Sequence, residues 1–244
     1  MRQWIQGLFD SEARERRSFE KLATKVVSKN QQHEDRMIAL ETLADMDSPE
    51  ALSALFRRWD MTSEKAREDR AEKEYLADVL VAKGPGMFEA LRAHNDRSPN
   101  VTWPIEVLRR VTTEEEVVTE IIRVLEHERS KLANFKPEKK VTLLRLLQDQ
   151  DDARITSAAV PFLKDFDESV RYEAAELLGA KGTEDALGPL VDRLSDPDED
   201  SARVRGGILG ALARQGWALG DRTATVSKHL APGFAVQDGV VTES

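Results

Sequence analysis

Apolar residues recur along the chain at helical spacing, in short stripes that polar turns separate. Between residues 167 and 216 the pattern repeats itself, since Arg171 and Leu178 return 34 residues later as Arg205 and Leu212. Self-similarity at such a period is the sequence mark of a solenoid, in which each unit buries its apolar face against the next. The pattern therefore predicts pairs of helices stacked in an array.

The same pattern extends towards the N-terminus, although its spacing is irregular. A central leucine marks each unit, and these leucines are Leu43, Leu80, Leu108, Leu147, Leu178 and Leu212. Their spacings lie between 28 and 39 residues, close to the length of two short helices with their turns. Seven residues before five of these leucines lies a basic residue, at Arg36, Lys73, Lys140, Arg171 and Arg205. We predict about six irregular helical-pair repeats, with Val101 as the departure in the third unit.

Helix ends carry local signals that agree with this division. Ser48 followed by Pro49 predicts a capped helix start, because the hydroxyl accepts a backbone bond and proline suits the first helical position. Gly84 and Gly182 fall at the same place in their repeats. We expect both glycines to end a helix in the left-handed conformation, which they adopt without steric cost.

The stretch 167–216 resembles the HEAT repeat, in the bacterial form first named from phycobilin lyase subunits. In that family an aspartate near the helix start and an arginine four residues on form ladders between neighbours. Asp167 with Arg171 fits this arrangement, and so does Ser201 with Arg205. Four stretches are similar to an uncharacterised group of bacterial HEAT-repeat proteins: E-D-R-M-I-A-L-E-T-L-A, W-P-I-E-V-L-R-R, R-Q-G-W and L-A-P-G-F-A-V-Q-D-G-V-V. The resemblance implies an all-α, α-α superhelix of HEAT or armadillo type and no assigned activity.

Three regions follow from these signals. Residues 1–30 are predicted as N-terminal capping helices, 31–217 as the solenoid, and 218–244 as a tail with a short hairpin around Asp238 and Gly239. The apolar face of Trp4, Ile5, Leu8 and Phe9 is interpreted as a cap over the first repeat, with a weak membrane or partner anchor as the alternative. The polar stretch 61–74 is interpreted as a solvated helix or loop, with an interaction arm as the alternative.

Composition narrows the class of partner. The chain has a net charge of -9 and a pI of about 5.2, which disfavours nucleic acid as the main partner. Aromatic residues make up only 6% of the chain, so its core is aliphatic and suits stacked helices. It has no cysteine, no apolar run long enough for a membrane span and no secretory signal, so we expect a cytoplasmic protein.

No catalytic constellation stands out. The four histidines are isolated from one another, so we expect no metal site and no cofactor. Gly206 and Gly207 lie inside a helical pattern and are interpreted as packing positions, not as a phosphate loop. Enzymes of HEAT-like fold, either lyase subunits or DNA glycosylases, remain the alternative, with Trp103 and Glu106 as the nearest residues to a lesion site. A core role for Trp103 is favoured, and we expect no enzymatic activity.

The remaining candidate is the concave surface, which the second helix of each HEAT pair lines. Basic positions there form a row on an acidic protein: Arg57, Arg58, His94, Arg123, Lys164 and Arg193. Such a row suits a partner protein with an acidic segment. The alternative is an ordinary solvated face in which arginine stems cover apolar neighbours. The sequence identifies neither the partner nor the oligomeric state.

Overall fold

The computed structural model describes the backbone of residues 2–46, 48–130 and 137–243, and the side chains among these from residue 12 onwards. The chain forms two compact units, Met1–Thr113 and Glu114–Ser244, and each is described by itself. The predicted cap formed by Trp4, Ile5, Leu8 and Phe9 lies outside the described side chains. The single array 31–217 stays a prediction.

Unit 1 consists of helices. They are α1 (Arg2–Lys25), α2 (His33–Asp45), α3 (Pro49–Phe56), α4 (Ala66–Lys83), α5 (Phe88–Arg97) and α6 (Thr102–Val111). Short 3₁₀-helical segments follow α3 at Arg57–Asp60 and precede α5 at Gly84–Met87. The helices α2, α4 and α6 pack side by side, and α3 packs on α5 in a second layer.

Unit 2 repeats this arrangement and adds a hairpin. Its helices are α7 (Glu114–Ser130), α8 (Glu138–Gln148), α9 (Arg154–Ala159), α10 (Glu168–Lys181), α11 (Leu187–Leu194), α12 (Ala202–Gln215) and α13 (Thr223–Lys228). The 3₁₀-helical segments are Val160–Lys164, Glu184–Ala186 and Gly220–Arg222. The helix α10 packs between α8 and α12. The strands β1 (Phe234–Gln237) and β2 (Val240–Glu243) complete the unit.

The predicted all-α fold of helical pairs is confirmed. The six predicted leucines lie in every second helix, namely α2, α4, α6, α8, α10 and α12, and all six are buried. Neighbouring helices of one layer therefore bury their apolar stripes against each other, as stacked repeats require. No helix among the described residues is long and apolar enough to cross a membrane.

Helix ends follow the predicted chemistry in part. The Ser48 hydroxyl accepts a hydrogen bond from Ala51 N, as expected for a capped start. Gly84 has a positive φ of 57° but a ψ of -145°, and Gly182 has a φ of -66°, so neither adopts the predicted left-handed helical conformation. A side chain at Gly182 would instead collide with the carbonyl oxygen of Leu178, so close approach, not φ, requires this glycine.

The C-terminal hairpin is confirmed. Its strands pair antiparallel with Gln237 opposite Val240, and Asp238 and Gly239 form the turn with φ of 50° and 78°. Two positive φ values are typical of the tight turn that matches the twist of a hairpin. β2 packs on α12 and buries Val241, which stabilises a hairpin that would be marginal alone.

Small residues bring α10 and α12 together. A Cβ atom at Gly179 would lie 2.7 Å from the Ala211 Cα, and one at Gly207 would lie 3.0 Å from the Tyr172 ring. The interpretation of the α12 glycines as packing positions is therefore confirmed at Gly207. Gly206, its neighbour, has no atom within 4 Å of such a Cβ.

Alanine at Gly179 and at Gly206 should have opposite effects on stability. We expect Gly179→Ala to lower the free energy of unfolding by about 1–3 kcal/mol, because the new methyl group forces α10 away from α12. Gly206→Ala should raise it by about 0.5–1 kcal/mol, because alanine is the better helix former and the site is open. Urea denaturation followed by circular dichroism measures both. Equal effects would contradict the proposed contact.

Candidate functional site

The six predicted binding residues divide between the two units. Arg57, Arg58 and His94 belong to unit 1, and Arg123, Lys164 and Arg193 belong to unit 2. They do not share one environment. Arg57 and Lys164 are exposed, Arg123 is half-buried, and Arg58, His94 and Arg193 are buried. Three of the six are therefore not exposed at the surface, and the binding role of the row stays a prediction.

Arg58 is fully buried, and its hydrogen bonds hold the end of α3 against α4. It follows α3 and reaches two carboxylates on α4: its Nε donates to Glu72 Oε2 at 2.7 Å and its Nη2 to Asp69 Oδ1 at 2.7 Å. Its Nη1 donates to the Met61 carbonyl at 2.9 Å. Asp69 also pairs with Lys73 at 2.7 Å. The predicted solvated stretch 61–74 therefore carries buried charged groups, and that interpretation is corrected for Asp69, Glu72 and Lys73.

Glu72 accepts from two further side chains of α2. Arg36 Nη2 donates to Glu72 Oε1 at 2.8 Å, and His33 Nδ1 lies 2.7 Å from the same oxygen. Burial on its own would raise the pKa of Glu72, but the hydrogen bonds from Arg36, His33 and Arg58 outweigh burial and lower it. We call Arg36, Arg58 and Glu72 the N-terminal clasp. Its carboxylate stays charged and ties α2 and the end of α3 to α4.

Unit 2 contains a second clasp of the same composition. Arg171 Nε and Arg193 Nε donate to Glu199 Oε2 at 2.8 and 2.7 Å, and Glu199 is fully buried. Arg171 Nη1 donates to the carbonyls of Asp165 and Phe166. Burial would raise the pKa of Glu199, but the two arginines and the Ser201 amide lower it to about 2. Arg171, Arg193 and Glu199 are the C-terminal clasp.

Both clasps have a sequence signal that the repeat alignment missed. Arg58 follows Arg36 by 22 positions, and Arg193 follows Arg171 by the same 22 positions. The first arginine lies in the first turn of one helix of a pair, and the second lies at the C-terminal end of the other helix. A shared glutamate can therefore bridge them. This spacing identifies Arg58 and Arg193 as structural partners of the repeat arginines.

The expected ladder assigns the wrong partner to the arginine. Asp167 caps α10 by accepting from the amides of Ser169 and Val170, and Arg171 pairs with Glu199 in place of it. Ser201 likewise caps α12 by accepting from Val204 N. Aspartate and serine at these positions satisfy backbone donors of the helix start, and the glutamate is the acceptor of the Arg171 side chain.

The other two candidates in unit 2, Arg123 and Lys164, differ in whether an ion pair neutralises their charge. Arg123 forms a two-point ion pair with Glu120, with distances of 2.8 and 2.9 Å, which neutralises its charge within α7. Lys164 ends a 3₁₀-helical segment, is exposed, and forms no ion pair with a described residue. Of the three, Lys164 alone presents an unneutralised charge.

Arg57 and His94 meet in a pocket of unit 1, which we call the Arg57–Arg97 pocket. It has a volume of about 370 Å³. Its lining is Ser53, Arg57, Asp60, His94, Arg97, Ser98 and Pro99. Arg97 is exposed and was not among the predicted residues. It is the last residue of α5, a position similar to that of Arg57, which directly follows α3. The pocket thus lies where two neighbouring second helices end.

Aromatic rings build the wall behind the pocket. The His94 ring lies 5.4 Å from Phe56 and 6.4 Å from Trp59, and Trp59 stacks on Trp103 at 6.3 Å. Trp59 and Phe56 are buried. These contacts hold His94 at the inner end of the pocket, and they confirm a packing role for Trp103.

The two arginines at the mouth are not neutralised by the described chain. Arg97 Nε donates to the Ala93 carbonyl at 2.9 Å, and no described acidic side chain lies within ion-pair distance of Arg57 or Arg97. Asp60 is the pocket's acid; Ser98 Oγ donates to its Oδ1, and His94 Nε2 lies 3.8 Å from the same atom. The pocket is therefore a site of net positive charge on an acidic chain.

Comparison with protein families identifies the repeat in unit 2. Residues 156–242 match the family model for HEAT repeats. The match covers α10 to α13 and reaches into β2, so it includes the C-terminal clasp. No curated protein and no solved structure matches the chain. The match supports a HEAT-repeat protein and leaves the activity to be argued from the residues.

Among the described residues, the carboxylates with a shifted pKa all lie in ion pairs. No group of three or more His, Asp or Glu side chains in this part of the chain could hold a metal ion. Hydrogen bonds from lysine or arginine lower the pKa of four carboxylates and keep them charged: Asp69, which Lys73 and Arg58 hold, and Glu72, Asp152 and Glu199, which arginines hold. A general acid needs a carboxyl group whose pKa is raised, so these four groups act as acceptors in ion pairs.

Two adjacent arginines should differ in their contribution to stability. We expect Arg58→Ala to lower the free energy of unfolding by about 3–5 kcal/mol, because it leaves Glu72 and Asp69 buried with fewer partners. Arg57→Ala should change it by about 0.5 kcal/mol or less, because this side chain is exposed. Thermal and urea denaturation of both variants test this. A stable Arg58→Ala variant would show that the clasp is not structural.

Stability should also depend on pH through Glu199. Its pKa is about 2 in the folded chain and 4.5 when unperturbed, so the stabilisation is complete above about pH 5 and is lost as the pH falls towards 2. We expect Glu199→Gln to cost about 3 kcal/mol at pH 7 and progressively less below pH 4.5. Asp198→Asn, an exposed change in the same turn, is the control. A cost that does not change with pH would refute the assignment.

Proposed function

We propose that the protein is a non-enzymatic module that binds a partner protein through its second helices, and that the partner presents an acidic segment. HEAT repeats commonly mediate protein–protein interaction, which supports the first part of the proposal. Stacked helical pairs present extended surfaces for such partners.

The observation that carries the proposal is the exposed positive charge that remains after the ion pairs are formed. The chain has 45 acidic and 36 basic residues, and the clasps and surface pairs neutralise many of the latter. Arg57 and Arg97 in unit 1 and Lys164 in unit 2 stay exposed, and no described acid pairs with them. Local positive charge on an acidic chain steers an acidic partner to these positions and repels it elsewhere.

The non-enzymatic part of the proposal rests on the same ion pairs. Ion pairs hold the carboxylates with a shifted pKa, and Trp103 stacks on Trp59, which gives it a packing role. These contacts favour binding over a lyase or glycosylase activity. The net charge of -9 disfavours nucleic acid, because an acidic chain repels phosphates.

Charge reversal on the surface should weaken the complex without unfolding the protein. The tagged full chain is expressed in its own cells, cross-linked, and its partners are quantified by mass spectrometry. We expect one partner to be recovered near stoichiometry and to fall about tenfold with Arg57→Glu, since a reversed rim charge repels the acidic segment.

Arg67→Glu is the matched control, because Arg67 is exposed on α4 and does not line the pocket. It should leave recovery of the partner unchanged. Recovery of no stoichiometric partner would refute the proposal, and so would equal loss with both variants.

A further inference from the structure

We infer that the Arg57–Arg97 pocket is a binding site for a single carboxylate, carried by an aspartate or glutamate of a peptide segment. The inference rests on the proposed function and specifies its ligand chemistry. It assigns a role to Arg97, Asp60 and Ser98, none of which the repeat pattern singles out.

The two arginines supply the donors. Arg97 uses its Nε to bond the Ala93 carbonyl at 2.9 Å, which fixes the guanidinium at the end of α5 and commits one of its five N–H groups. The Arg57 side chain forms no hydrogen bond to a described residue and lines the same pocket. Planar guanidinium groups bind a carboxylate through paired N–H donors, and such charge-assisted bonds are the stronger kind.

Ser98 and Asp60 form a fixed wall beside these donors. Ser98 Oγ donates to Asp60 Oδ1 and accepts from Asn100 N at 2.9 Å, so the hydroxyl is already engaged on both sides. The Asp60 side chain is 37% exposed and stays at the pocket surface. A ligand therefore meets two arginines and one carboxylate in a defined arrangement.

The charge of this arrangement selects the ligand. Two guanidinium groups and one carboxylate leave one net positive charge, which one ligand carboxylate neutralises. A phosphoryl group carries about -1.5 to -2 at neutral pH, so it would bring excess negative charge next to Asp60. The pocket is thus better matched to aspartate or glutamate than to phosphoserine.

The size of the pocket indicates a residue within a chain. A volume of about 370 Å³ is larger than a free carboxylate needs, and it lies within the range of small ligand pockets. The buried His94 ring, packed on Phe56, offers an apolar surface for side-chain methylene groups. An acidic residue with its neighbouring backbone fills such a space.

Peptide titration of the full chain tests the inference directly. The probes are three pentapeptides of glycine and serine, blocked at both ends, with a central glutamate, glutamine or phosphoserine. In ¹⁵N-HSQC spectra we expect the glutamate peptide to shift the amides of Arg57, Arg97 and Ser98, with a Kd of about 1–10 mM for one paired carboxylate. The glutamine peptide should shift none of them.

Variants separate the roles of the lining residues. Arg57→Gln and Arg97→Gln should each weaken the glutamate peptide about tenfold, whereas the control Arg67→Gln should not. Asp60→Asn keeps the acceptor for Ser98 and removes the charge, so phosphoserine binding should tighten roughly fivefold.

Three results would overturn the inference: shifts outside the pocket only, equal binding of glutamate and glutamine peptides, or tighter binding of phosphoserine than of glutamate to the unaltered chain. If a partner is recovered from cells while the glutamate peptide fails to bind, the proposed function stands and this site assignment falls. If the peptide binds at the pocket but no partner is recovered, the site stands and the proposed function falls.

Discussion

A buried arginine needs a carboxylate, and this requirement organises both units. Leaving a guanidinium or a carboxylate alone in the interior costs several kcal/mol, so each must find the other when the helices pack. Glu72 and Glu199 each accept from two arginines that come from the two helices of one pair. The glutamate lies beyond that pair along the chain, so the clasp fixes one pair against the segment that follows. Apolar stripes bring the helices together, and the clasps favour one arrangement among those that the stripes allow.

The clasps also decide which basic residues are left for binding. Arg58 and Arg193 are adjacent in sequence to exposed positions, yet both are buried and a glutamate balances the charge of each. Other basic residues stay exposed without a described acidic partner, and of these Arg57 and Arg97 share one pocket. A stripe of basic residues read from the chain overestimates the binding surface, because ion pairing within the fold removes half of it.

Much of the fold could be predicted because its determinants are local. Leu178 and Leu212 mark buried helix faces, Ser48 caps a helix with its own hydroxyl, and Asp238 with Gly239 forms the hairpin turn. Each depends on residues within a few positions along the chain. Gly182 shows the limit of this reasoning, since its position was predicted and its φ was not. The residue is required by the nearness of the Leu178 carbonyl four positions earlier, and this distance depends on the backbone angles at the helix end.

The sequence by itself determined the all-α class, the repeat positions and the hairpin, because helical periodicity and turn chemistry act over short distances. The tertiary structure alone decided the partners of the charged residues. Arg57 and Arg58 are neighbours with the same side chain, yet one is exposed at a pocket and the other is enclosed by α4. Their directions differ because successive residues at a helix end face opposite environments. Which environment is solvent depends on the packing of helices distant in sequence.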